Sequence, residues 1–275
     1  MTPLIDADVL LHEIGWSSQF KDKDTGEEIL FDFDRAAELL DNKIKLICLE
    51  TDATEEPILF VSDSEWLAKK QRREFVPNYR HSVATTKPYK GTRTNPKPFH
   101  FYNLLAYMLG NYNVVVSKDG YEADDEISIH QYKSWSSGHN DTIICSRDKD
   151  LRICPGSHYS WECGSQASIG PITIEPVGFL KRYEEDNKTL GFGLAFFFYQ
   201  MLVGDAVDNI PGLPSCGDVF ARKLLEGATT EEDFYERVKQ AYKDKLGPDA
   251  KRHFIEQGKL IWIAQERGKF YERIR

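Results

Sequence analysis

The feature that most constrains this chain is a series of short apolar runs separated by stretches with helical periodicity. The runs are Pro3–Ile5, Leu46–Leu49, Ile58–Val61, Asn113–Val116 and Thr142–Cys145. Each has the length and composition of a strand buried on both faces. Between them lie helical patterns at Asp32–Leu40, with Asp32 or Asp34 as N-cap, at Phe99–Leu109, and at Ala123–Trp135, which opens with acids as a helix N-terminus prefers. Strands alternating with helices imply an α/β fold whose open sheet is mostly parallel and flanked by helices. Beyond Gly170 the pattern changes. Pro171–Glu175 reads as an edge strand, Leu194–Val203 as a buried helix, and Gly204–Leu225 as a turn-rich stretch entering a helix. Thr229–Leu246 and Lys251–Ala264 read as helices, with Thr229 as an N-cap and Glu232 completing a capping box. The expected organisation is an α/β core over residues 1–175 and a mainly helical part over 176–275. The aromatic run Phe196–Tyr199, Phe254 and Trp262 read as packing residues.

In an open parallel sheet, ligands bind beyond the carboxyl ends of the strands. Four runs deliver acids there. Asp6 and Asp8 follow the first, Asp63 follows Ile58–Val61, Glu122, Asp124 and Asp125 follow Asn113–Val116, and Asp148 and Asp150 follow Thr142–Cys145. A single such acid is usually a helix cap or a solvated turn residue, but four strand ends acting together point to one site. Crowded carboxylates repel unless cations neutralise them. An all-oxygen set suits a hard divalent cation such as magnesium. Two such ions about 3.5–4 Å apart activate a water and stabilise a leaving oxygen in phosphodiester hydrolysis. Apart from Cys145, no histidine or cysteine accompanies these acids, which disfavours zinc; His100 and His130 also lack metal-like partners in the sequence.

The net charge of −9 over 275 residues is unevenly spread. Residues 66–98 hold nine basic side chains (Lys69, Lys70, Arg72, Arg73, Arg80, Lys87, Lys90, Arg93 and Lys97) against Glu74 alone, so this segment carries +8 and the remainder −17. A one-sign block inside an acidic chain suits a polyanion. Its prolines, Gly91 and threonines between Phe75 and Pro98 suggest a long mobile connection. Five cysteines in an odd set without a C-x-x-C pair read as reduced thiols. No apolar run is long enough to span a membrane, and the N-terminus does not read as a signal peptide, so a cytoplasmic protein without membrane partners is expected.

Six stretches in order resemble the 5′ nuclease family, which includes flap endonucleases, the 5′-to-3′ exonuclease domain of bacterial DNA polymerase I and replication exonucleases of tailed phages. They are Leu4-Ile5-Asp6, Val61-Ser62-Asp63, Tyr89-Lys90-Gly91-Thr92-Arg93, Glu122-Ala123-Asp124-Asp125, Ser146-Arg147-Asp148-Lys149-Asp150-Leu151, and the most specific, Gly204-Asp205-Ala206-Val207-Asp208-Asn209-Ile210-Pro211-Gly212. The short chain looks most like the phage exonucleases, and a phage-encoded protein would work in the host cytoplasm as a monomer.

The resemblance implies a PIN-like nuclease core with a helical arch and a helix–three-turn–helix. It implies magnesium-dependent cleavage, with manganese substituting, of DNA at 5′ ends or flaps in replication or primer removal, and of RNA in RNA–DNA hybrids. By matching positions, Asp6, Asp63, Glu122 and Asp124 would form the first metal site, and Asp125, Asp148, Asp150, Asp205 and Asp208 would serve the second; the partition stays open. Asp124 and Asp125 with Lys90 and Arg93 would be catalytic, the last two at the scissile phosphate, and Tyr89 would stack on a terminal base. The Tyr79-Arg80 pair is a weaker rival because it lacks the Gly-Thr-Arg that follows Lys90. The basic segment would form the arch, with Lys69, Lys70, Arg72, Arg73, Arg80, Lys87 and Lys97 contacting DNA. Over Gly204–Leu225, Gly212, Pro214 and Gly217 would let backbone approach a phosphate, the following helix would offer its N–H groups, and Arg222 and Lys223 would assist. The resemblance also implies a potassium ion in this turn.

The chain departs from the family at Ala7, where glycine is usual beside an extra Asp8, at Ser215 in place of a turn glycine, and at Val219 in place of a phosphate-binding lysine. These departures keep open a non-catalytic DNA-junction binding protein of the same fold. A third reading is an RNA nuclease of a related sheet fold, against which the duplex-gripping turn argues.

Overall fold

A computed structural model describes residues 1–92, 94, 96–182 and 189–274. The chain runs β1 (Thr2–Asp6), α1 (Ala7–Ser17), a hairpin of β2 (Gln19–Lys21) and β3 (Glu28–Leu30), α2 (Phe33–Glu50), β4 (Ile58–Val61), α3 (Glu65–Lys70), α4 (Arg80–Val83), α5 (Phe101–Asn111), β5 (Asn113–Val116), α6 (Ala123–Ser136), β6 (Thr142–Cys145), β7 (Gly156–Ser160), β8 (Ile169–Ile174), β9 (Phe179–Arg182), β10 (Thr189–Phe192), α7 (Gly193–Val203), α8 (Asp218–Leu225), α9 (Glu231–Leu246) and α10 (Ala250–Ile261). It packs as two units. One comprises Met1–Val76, Thr94–Lys149 and Ser157–Ile172; the other comprises Pro77–Arg93, Asp150–Gly156 and Thr173–Arg275.

The first unit is built on a six-stranded sheet of order β5-β4-β1-β6-β7-β8. Its β5, β4, β1, β6 and β7 run parallel, with Asp6 opposite Phe60, Ile5 opposite Cys145 and Val61 opposite Val116. This is the α/β, mostly parallel architecture expected from the alternating pattern, with β8 at the edge. Strand alternation divides the core. Ile5, Leu59, Val61 and Ile143 pack with Leu10, Leu11, Leu40, Ile44, Ile47, Leu104 and Met108 from α1, α2 and α5. On the opposite face, Phe60 meets His130 of α6 at a ring separation of 4.9 Å.

The run Leu46–Leu49 is not a strand; it is the last part of α2. Buried Leu40, Ile44 and Ile47 recur at helical spacing, while Leu46 and Leu49 face solvent. Their exposed apolar side chains make a helical segment resemble a continuous strand. Asp32 caps α2 as expected, accepting from the Arg35 N–H at 2.8 Å.

In the second unit, α7 is buried over Gly193–Leu202. Phe197 meets Trp262 and Tyr271, and Phe198 stacks on Phe234. The aromatic run is therefore core, as are Trp262 and Phe254. Helix α9 begins one residue later than expected. Thr230, not Thr229, accepts from the Asp233 N–H at 3.2 Å, and Asp233, not Glu232, closes the exchange by accepting from the Thr230 hydroxyl.

Within the basic segment expected to be a long connection lie two short helices, α3 and α4. Arg80 is buried, and its guanidinium donates to the Leu260 and Trp262 carbonyls at 3.1 and 2.7 Å, oxygens that the end of α10 leaves without helical partners. Glu256 accepts from the N–H and hydroxyl groups of both Thr85 and Thr86 at 2.7–2.9 Å. Burial pushes the Glu256 carboxyl up, but these four bonds outweigh it and hold the pKa below the usual range. Among the described residues no helix is long and apolar enough to cross a membrane, and all five cysteines are free thiols.

Candidate metal centre and nucleic-acid interface

In the first unit the strand ends converge through hydrogen bonds from side chains absent from the sequence-based site. Asp6 ends β1 and caps α1, accepting from the Val9 N–H at 3.2 Å. Its other oxygen accepts from the Ser146 hydroxyl, at the end of β6, at 2.7 Å; Ser146 in turn accepts from the Asp148 N–H at 2.9 Å. At the end of β4, the Ser62 N–H donates to Asp8 at 3.0 Å while its hydroxyl accepts from the Ala123 N–H at the start of α6. The Asp63 N–H donates to Ser117, at the end of β5, at 2.8 Å. A serine thus follows β4, β5 and β6 and ties each strand end to a neighbour. The signal was present as three parallel phrases, Val61-Ser62, Val116-Ser117 and Cys145-Ser146, each a strand closing on a serine.

The electrostatics follow from this crowding. Asp6 is buried, and burial, then Asp8, then Asp148 push its carboxyl up to about 7, against the lowering bonds from Ser146 and Val9. An acid that resists ionisation among other acids is a place a cation would stabilise. Oxygen-only donors here are of the kind that suits a hard divalent ion, so the donor type, though not the spacing as it stands, matches the metal that the resemblance implies.

The other first-unit acids are engaged with protein groups. Asp63 receives a bidentate fork from Arg73, with both nitrogens at 2.6 Å. Glu122 caps α6, and its N–H donates to buried Asp125 at 3.0 Å in a capping box; Asp124 is half-buried in the same first turn. Among the described residues no group of three His, Cys, Asp or Glu side chains stands close enough to hold an ion. Ala7, where glycine was expected, takes the first position of α1 and is fully buried.

Asp150, Asp205 and Asp208 belong to the second unit. Asp150 accepts from Gln200 at 2.6 Å. Asp205 and Ile210 bridge backbone to backbone, and the Asp205 side chain accepts from the Val207 and Asp208 N–H groups at 2.7 and 3.2 Å. This closes the turn between Gly204 and Gly212. Both glycines have positive φ, and a Cβ on either would sit within 2.4 Å of the other segment's backbone. Asp208 accepts from the Tyr89 hydroxyl at 2.9 Å and lies 3.9 Å from the Lys90 ammonium.

Several residues expected to contact nucleic acid have protein partners in the structure. Arg80 is consumed by backbone carbonyls, so its charge is not presented to a ligand. Tyr89 is 4% exposed and bound to Asp208, which leaves no ring face for a terminal base. Gly212 lies close against the backbone of Leu202–Gly204, and its N–H donates to buried Gln257. Arg93 lies outside the described residues. Lys69, Lys70, Arg72, Arg73, Lys87 and Lys97 are exposed, although Lys97 lies over the Phe101 ring at 4.0 Å and Lys70 over Trp66 at 5.3 Å. In α8, Gly217 is the exposed N-cap, Lys223 is exposed, and Arg222 pairs with Asp218 at 2.9 Å. Expected metal-free histidines have other partners: His100 meets the Phe31 carbonyl and His130 the Glu126 carbonyl, each at 2.8 Å.

No family model matches the chain. DNA polymerase I of Bacillus caldotenax is 28% identical over 171 residues, covering 60% of this chain and 18% of that protein. DNA polymerase I of Deinococcus radiodurans is 32% identical over 138 residues, covering 50% and 13%. The chain thus spans less than a fifth of the length of these curated relatives. Among solved structures, a T5 5′-exonuclease with bound divalent metal ions (zinc) aligns over 95% of this chain and 90% of its own, with a TM-score of 0.55 and 15% identity. A T5 protein co-crystallised with metal ions aligns over 93% and 88%, with a TM-score of 0.53 and 13% identity. At these identities the structural likeness is one of fold.

Proposed function

We propose that this chain, which has the 5′ nuclease fold and partial sequence matches to bacterial DNA polymerase I, is a divalent-metal-dependent phosphodiester hydrolase acting on DNA from 5′ ends or flaps. The observation that carries the reading is the strand-end cluster of Asp6, Asp8 and Asp148, where one buried carboxyl is pushed to about 7 by burial and by its acidic neighbours. Asp6, Asp63, Glu122 and Asp124 are proposed to hold a first magnesium ion, and Asp125, Asp148, Asp150, Asp205 and Asp208 to serve a second. When bound, such ions supply an activated water and neutralise charge on the phosphoryl and leaving oxygens.

The chain's own residues do the positioning. Ser146 and the Val9 N–H fix both oxygens of Asp6, and Ser62 joins α1 to α6 through Asp8 and Ala123. Lys90 is held by its N–H on the Asp208 carbonyl at 2.9 Å, which fixes the backbone from which its ammonium is proposed to meet the scissile phosphate. Lys69, Lys70, Arg72 and Lys87 are proposed to neutralise flanking phosphates. RNA paired to DNA and a role in primer removal extend the same reading. A 5′-labelled duplex should lose its label with magnesium, and the double substitution Asp124→Asn, Asp125→Asn should abolish the loss. Undiminished cleavage in that variant rejects the assignment.

A second reading, a non-catalytic DNA-junction binding protein, draws on one observation. Asp63 is occupied by Arg73, and Glu122 and Asp125 by each other's backbone, so these acids already have protein partners. Tight binding of duplex ends with no cleavage in magnesium or manganese selects it.

A further inference from the structure

The turn leading into α8 contains a cation of its own. The Lys245 ammonium, near the end of α9, donates to the carbonyl oxygens of Pro214 and Ser215, each at 2.9 Å. The same nitrogen lies 4.7 Å from the Phe220 ring centroid, so its third side meets an aromatic ring in the following helix. Ser215 adopts a φ of 53°, the left-handed conformation at the position where a turn glycine was expected. Two consecutive carbonyls sharing one positive charge form a cation cradle. An ammonium at hydrogen-bond distance from both oxygens repels a second cation at the same place. The potassium ion implied for this turn by family resemblance therefore does not fit these carbonyls.

We propose that Lys245 is the resident monovalent cation of this turn, making the turn's conformation, and with it any duplex grip, independent of potassium. Lys245 also brings positive charge to the start of a helix whose exposed Val219 stands where a phosphate-binding lysine was expected. The link to duplex rests on the functional reading above; the link to the turn does not.

The test measures full-length protein, freed of divalent ions by chelation, in potassium, sodium or tetramethylammonium chloride at equal ionic strength. The thermal midpoint of the wild-type protein should be the same in all three. Lys245→Met should melt lower in sodium and regain part of the loss in potassium, because an ion bound only to the folded state stabilises it by mass action. Lys245→Arg, which keeps a cationic donor, should restore indifference to the ion. In a second arm, wild-type affinity for a blunt duplex should agree within about two-fold between potassium and sodium, whereas Lys245→Met should bind several-fold more weakly in sodium.

A wild-type midpoint or affinity that rises in potassium overturns the proposal, as does a Lys245→Met protein indifferent to the ion. If the Met variant does not fold, the wild-type and Arg proteins still decide, since potassium sensitivity in either contradicts a resident lysine. Failure to bind duplex in any salt would reject the functional reading of the turn, while the melting arm would still decide the role of Lys245.

Discussion

At the scale of single residues, Asp6 links stability to the proposed metal site. Its folded-state pKa of about 7 lies above the ordinary value of 3.8, so between those limits the folded protein holds a proton that the unfolded chain releases. The stability associated with that proton is fully present below pH 4 and is lost as pH rises through about 7. Metal-free protein should therefore be less stable at pH 8 than at pH 5.5 by up to about 2 kcal/mol from this group. Asp6→Asn should flatten that difference in urea denaturation while weakening manganese binding in titration calorimetry. A variant retaining the wild-type pH slope would show that Asp6 is not its source.

Arg73 makes the complementary case. Its fork on Asp63 competes with any ion for the same oxygens, so Arg73→Gln should tighten manganese binding by roughly ten-fold or less, the range for a partly exposed ion pair. Unchanged or weaker binding would argue that Arg73 does not compete there. Asp6 was legible in the sequence because a strand end fixes where its side chain begins. The Arg73–Asp63 pair was not, because the short helix α3 and the turn after it lie between the two, and the sequence does not show how that turn brings Arg73 back to the strand end.

At the scale of elements, the segment Phe75–Pro98 carries contacts that its composition does not announce. Its prolines and charge suggest a loop, and Arg80, Thr85 and Thr86 tie part of it to α10 and the residue that follows. Arg80→Met should cost about 3 kcal/mol, since it leaves buried carbonyls unpaired. Lys87→Ala, at an exposed position, should leave denaturation unchanged but lower duplex affinity and reduce the salt slope by about one. The opposite pattern, a stable Arg80 variant and an unfolded Lys87 variant, would contradict the division of this segment into structural and solvent-facing charges. Sequence periodicity located β1, β4, β5 and β6 because each is an apolar run on a sheet covered by helices. It missed β7 because Gly156-Ser157-His158-Tyr159-Ser160 carries few apolar residues, and it misread Leu46–Leu49 because a helix can expose leucines. The serines closing β4, β5 and β6 were visible but individually ordinary. Only their shared position relative to the sheet gives them a role.

At the scale of the whole molecule, net charge conceals opposite local charges. The acids gather at strand ends, while exposed lysines and arginines remain on the basic segment even after Arg80 is removed from consideration. The fold was legible because alternating strand and helix patterns admit few architectures. The ligand set was less so, because motifs name residues without revealing which already have protein partners. The most direct measurement of the central claim is a crystal soaked with manganese and examined by anomalous scattering. The account predicts manganese at the strand ends, coordinated by Asp6 and its acidic neighbours, with the Arg73 fork displaced from Asp63. Manganese bound only elsewhere, with that fork intact, would contradict it.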